Sequence, residues 1–102
     1  MKFQSIILAL TAGLAFVIHA QACTLFLNGT NMHQTGNTGG GCFGLDPTDP
    51  INKATVSNPG TSYVFYSDTN CNGTAVATGK DTTAYNPPIT ASSVNITCPP
   101  GT

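Results

Sequence analysis

The chain has 102 residues and a mass of 10.5 kDa, with 7% charged residues, 11 Gly, 7 Pro and 4 Cys. Lys2, Lys53 and Lys80 are the only Lys or Arg, set against Asp46, Asp49, Asp68 and Asp81, which excludes nucleic-acid binding because phosphate neutralisation takes many basic side chains. One domain is the ceiling at this length, and low net charge without low hydrophobicity is not the composition of a disordered chain.

Residues 1–22 read as a secretory signal peptide. Lys2 supplies the positive start, Ile6 to Ile18 is a mainly apolar run, and Ala20-Gln21-Ala22 forms an A-x-A cleavage site. A membrane-spanning helix needs about 18 or more apolar residues, and His19 and Gln21 end this run too early. Cleavage after Ala22 leaves 80 of the 102 residues, with a formal charge of −2 from two Lys and four Asp. Cys23 then stands first, as in a bacterial lipoprotein. Gln21 fits that signal poorly, and Cys23 has three candidate disulfide partners.

From Cys23 onward, short apolar runs alternate with turn signals. Leu25-Phe26-Leu27 is followed by Asn28-Gly29, then by turns at Gly36 to Gly41 and Asp46 to Pro50. Ile51 to Val56 is β-branched, and Asn58-Pro59-Gly60 separates it from Tyr63-Val64-Phe65-Tyr66. Asn86-Pro87-Pro88 marks a last turn before Ile89 to Val94. Frequent turns between short strands predict an all-β sandwich or barrel. The chain also repeats itself at a spacing of 38 to 39 residues: Leu25 to Asn31 lines up with Val64 to Asn70, and Ile51 to Val56 with Ile89 to Val94. Two halves of some 40 residues are each too small to fold alone, so they are expected to share one core. In Tyr63 to Tyr66, alternation predicts one pair facing the core and one pair less buried.

Cys23, Cys42, Cys71 and Cys98 are an even set in an exported chain, which predicts two disulfides with three possible connectivities. Zinc is disfavoured, because C-x₂₋₄-C spacing is missing and His33 is the one histidine left after cleavage.

Val64-Phe65-Tyr66-Ser67-Asp68-Thr69-Asn70-Cys71-Asn72-Gly73, followed by Ser92-Ser93-Val94-Asn95-Ile96, resembles a Greek-key motif of the βγ-crystallin superfamily. The resemblance implies an all-β, two-Greek-key sandwich of roughly eight short strands, with the first key at about 23–59 and the second at about 62–98. Gly73 would take a positive φ, and Ser93 would bond the backbone of the folded hairpin. In the first half Thr55 would stand in for Ser93, while Gln34 falls where Gly73 would map. Within the superfamily the chain is similar to small secreted cysteine-bridged domains: plant antimicrobial proteins, killer toxins and fungal small secreted proteins. That likeness implies Cys42–Cys71, with Cys23–Cys98 tying the first strand to the last.

Many crystallin-type domains hold calcium just before the Ser pair. The matching positions here are Pro88 and Ile89, and Pro50 and Ile51, none with a side-chain oxygen, so neither a metal nor any other cofactor is expected. Catalytic residues are not expected either. His33 lies in a Gly- and Asn-rich loop without a nucleophile elbow, and Asp46 and Asp49 flank Pro47 as turn formers. Three sequons, at Asn28, Asn72 and Asn95, are candidate glycosylation sites. The expected function is that of a secreted, non-enzymatic, effector-like protein of fungal type. Its partners would be an extracellular host or microbial protein, or a cell-wall polysaccharide. An antimicrobial or killer-toxin-like protein is the alternative, and a protease inhibitor the second. With two Lys in the mature chain and no basic amphipathic helix, membrane insertion is not expected.

Overall fold

The computed structural model describes residues 23–31 and 34–100. Residues 1–22, read above as a signal peptide, and His33 lie outside the described residues. Eight strands follow in chain order: β1 (Thr24–Gly29), β2 (Gln34–Thr38), β3 (Gly41–Gly44), β4 (Ile51–Val56), β5 (Ser62–Tyr66), β6 (Ala75–Lys80), β7 (Thr83–Ile89) and β8 (Ser93–Thr97). They form two four-stranded antiparallel sheets. The first has the order β2-β1-β4-β7, and the second β3-β8-β5-β6.

Each half of the chain therefore gives its third strand to the other half's sheet. β3 pairs with β8, setting Phe43 opposite Val94, and β7 pairs with β4, setting Ala84 opposite Lys53. The exchange gives two short halves one common core. Leu25, Leu27, Ile51 and Ala54 face inward from the first sheet and meet Tyr63, Phe65, Val94 and Ile96 from the second. Fully burying each large side chain contributes about 1.5–3 kcal/mol. Tyr63 and Phe65 are the core pair of β5, while Val64 and Tyr66 are half-buried. Rings of Tyr63 and Phe65, and of Phe65 and Tyr85, meet edge to face with centroids 5.7 Å apart.

Two disulfides close the domain. Cys23–Cys98 is buried at the junction of the first and last strands and spans 75 residues. Cys42–Cys71 spans 29 residues and has its Cys42 end exposed. In the chain-entropy model such loops stabilise by about 4.5 and about 3.5 kcal/mol.

The structure corrects three local expectations. Asn86-Pro87-Pro88 is not a turn but part of β7, an edge strand that bulges there: Ile89 pairs with Ile51 and Ala84 with Lys53, so 85–88 lie opposite Asn52 alone. An edge strand has no neighbour on one side, so proline's missing N–H is tolerated. Gly36 lies within β2, and the turn falls at Gly39 and Gly40. The two halves also superpose in a different register. The buried cross-strand pair Leu27 and Ala54 answers to Phe65 and Val94. Lys53, opposite Asn28, thus occupies the place of Ser93, opposite Tyr66, while Thr55 stands opposite Phe26 and answers to Asn95. Thr55 does not take the part of Ser93: it lies two residues further along β4 than Lys53, on the same outer face but opposite Phe26 instead of Asn28, and so one strand step away from the place Ser93 holds.

Candidate binding surface

The two sheets differ in what covers their outer faces. β5 and β6 are joined by residues 67–74, which fold back over the second sheet. Thr69–Cys71 makes a 3₁₀ turn in which Asn70 (φ 60°) and Cys71 (φ 55°) are both left-handed. Two such residues in succession cost about 1–2 kcal/mol each, so the turn needs tying down. Ser93, fully buried, does this: its Oγ accepts the Cys71 N–H at 2.8 Å and donates to the Asp68 carbonyl at 2.6 Å. The Cys71 sulfur is bonded to Cys42 on β3. Gly73 has φ +81°, and a Cβ there would come 2.6 Å from Ser67 Oγ and Asp68 Oδ2. Ser67 Oγ in turn accepts the Thr74 N–H at 3.0 Å.

The matching connection in the first half, residues 30–33, is four residues long, against eight for 67–74. The outer face of the first sheet keeps Phe26 36% exposed and Lys53 exposed, whereas Ser93 at the position of Lys53 is fully buried. Leu25 and Leu27 point into the core, so Phe26 between them points out. A Cβ on Gly36, the cross-strand neighbour of Phe26, would lie 3.4 Å from Cδ1 and Cε1 of its ring. Around the ring stand Thr24 and Thr38, whose hydroxyls are 3.0 Å apart, with Thr55 on β4 and Asn28 and Gln34 one step along the face. Asn28 Oδ1 is enclosed and has no hydrogen-bond partner.

A small cleft opens at one end of the first sheet, lined by Leu27, Thr35, Leu45, Asp46, Asp49 and Ile51. Its volume of about 40 Å³ suits a few waters, far below the 300–1,000 Å³ of small-molecule sites. Both carboxylates act in turns. Asp46 Oδ1 accepts from Thr48 N at 2.9 Å and Thr48 Oγ1 at 2.6 Å, and Asp49 Oδ1 accepts from Asn31 N at 3.1 Å. Gly29 makes room for the Asp49 carboxylate, which sits where a Cβ would be. Among the described residues, His, Cys, Asp and Glu do not gather in threes in a way that would hold a metal ion. Pro88 and Ile89 lie in β7, and the Pro50 carbonyl accepts the Thr30 N–H at 2.8 Å.

The chain matches no known family model, no curated protein and no solved structure.

Of the sequons, Asn72 is exposed in the 67–74 connection, Asn95 is half-buried on β8 between β3 and β5, and Asn28 is half-buried on β1. Tyr63 and Tyr85 form the polar seam between β6 and β7. Tyr63 Oη donates to the Asp81 carbonyl at 2.6 Å and lies 2.9 Å from Thr83 Oγ1, while Tyr85 Oη donates to the Thr78 carbonyl at 3.0 Å. Burial pushes both phenols above the usual tyrosine range, and proximity to Tyr63 adds to the shift at Tyr85. Sequence reasoning weighed the aromatics of β5 and passed over Phe26. Its signal was present, since an aromatic between two leucines in a period-two run must face away from the core they build.

Proposed function

We propose that the chain is a small secreted non-enzymatic domain of βγ-crystallin type, effector-like and of fungal kind, that binds a protein or a polysaccharide outside the cell. Three features support the Greek-key assignment. In each half the first strand lies between the second and the fourth, the third strand crosses to the opposite sheet, and in the second half a Ser and a Gly hold a folded hairpin. Two disulfides in so short a chain suit an oxidising compartment.

The observation that carries binding is the outer face of the first sheet, centred on the exposed Phe26, over which no described segment folds as 67–74 does over the second sheet. Lys53 is on the first sheet and Lys80 on the second, so the described lysines do not form the cationic face that a membrane-directed toxin would use. The test is expression of the full chain in a fungal secretion host, followed by cross-linking in extracellular fluid. The protein is expected in the medium with Cys23 at its N-terminus, cross-linked to a partner that Phe26→Ala fails to capture. Retention inside the cell, or capture indifferent to Phe26→Ala, would overturn the proposal.

A further inference from the structure

We infer that the outer face of the first sheet binds a neutral, hydroxyl-rich polysaccharide, with one sugar ring seated on Phe26. This deepens the binding function proposed above and rests on it. A protein partner of standard size takes about 800 Å² from each side, anchored on a cluster of buried aromatic or aliphatic side chains. Among the described residues this face offers one large exposed apolar side chain, Phe26, within a field of Thr, Asn and Gln. A sugar ring has the same make-up, an apolar C–H surface rimmed by hydroxyls, and needs one aromatic contact with a few polar groups around it. Gly36 keeps β2 bare beside the ring, so a chain lying across the strands meets no side chain there.

Charge selects a neutral chain. Among the described residues Lys53 is the one ionised side chain on this face, and Asp46, Asp49, Asp68 and Asp81 all lie in connections between strands. A polyanion would gain one cation while meeting a mature chain of formal charge −2, from two Lys and four Asp. Hydroxyl groups meet no such opposition.

The test is sedimentation of the oxidised, secreted protein with insoluble chitin, cellulose and β-1,3-glucan, with immobilised polygalacturonate as the anionic comparison. Depletion from the supernatant is expected on at least one neutral polymer. Phe26→Ala should weaken it at least about tenfold, Phe26→Tyr should retain it, and Val76→Ala, at the exposed apolar residue of the second sheet, should leave it unchanged. Equal thermal midpoints for the variants exclude a folding effect. Depletion by no neutral polymer, depletion by polygalacturonate alone, or full binding by Phe26→Ala would each overturn the inference. If in that event cross-linking still captures an extracellular protein through Phe26, the general binding function survives and the polysaccharide does not.

Discussion

The hydroxyl of Ser93, with no exposure to solvent, accepts the N–H of Cys71 at 2.8 Å, binding strand β8 to the one turn in the second half that holds two left-handed side-chain-bearing residues. Its second bond, to the Asp68 carbonyl, closes the other end of the same turn. Ser93→Ala removes the partner of the part-buried Cys71 N–H and Asp68 carbonyl, at a cost of about 1–3 kcal/mol. The thermal midpoint should fall by at least about 4 °C with both disulfides intact. An unchanged midpoint would mean that Cys42–Cys71 holds the turn by itself.

Gly79 lies beneath two aromatic rings. A Cβ there would enter the Tyr63 ring and come 2.7 Å from Tyr85 Oη. Tyr63 cannot retreat, being 1% exposed, packed on Phe65 and bonded to the Asp81 carbonyl. Gly79→Ala should therefore destabilise by about 1–3 kcal/mol, measured by urea unfolding with the wild-type slope. Stability equal to wild type would show that the Tyr63–Tyr85 seam has slack.

Alkaline pH should loosen the same seam. Both Tyr63 and Tyr85 have folded pKa values raised above the unfolded value near 10. Above that value the unfolded chain releases phenol protons that the folded chain keeps, so stability falls as pH rises. The contribution is fully present below pH 10 and is lost progressively as pH climbs through the raised values. Absorbance at 295 nm should show these two phenols ionising together with unfolding. In Tyr85→Phe the alkaline slope of stability should be shallower; an unaltered slope would contradict the assignment.

Where the chain is glycosylated, the folded secreted product should carry its glycan at Asn72. A glycan at Asn95 would have to leave from the middle strand between β3 and β5, and one at Asn28 from a half-buried side chain with an enclosed oxygen. Mass spectrometry after glycosidase treatment in heavy-oxygen water reads the site directly. Occupancy at Asn28 or Asn95 in correctly bridged protein would contradict this.

Much of the architecture was legible in the residues. The alternation at Tyr63 to Tyr66 gave one inward pair and one less buried pair without saying which was which, and the turn signals gave an all-β chain of short strands. The likeness of residues 64–73 and 92–96 to a crystallin motif anticipated the Ser93 hydroxyl bond and the positive φ of Gly73. What stayed hidden depended on register. Leu25 looks like Val64 in composition, yet its structural counterpart is Tyr63, because equivalence is set by which residues face the shared core. The Asn86-Pro87-Pro88 stretch carried a turn signal, but proline punctuates a bulged edge strand equally well. The exposed place of Phe26 goes with the difference in length between a four-residue and an eight-residue connection, which acquires meaning only once the two halves are seen to be related by strand exchange.

That exchange underlies every surface described above, and cross-strand nuclear Overhauser effects in the oxidised, isotope-labelled mature protein test it most directly. Backbone contacts are expected between Phe43 and Val94 and between Lys53 and Ala84, pairs that join opposite halves of the chain. Backbone ladders pairing β3 with β2 and β7 with β6 in place of these pairs, as in a simple meander within each half, would contradict the account.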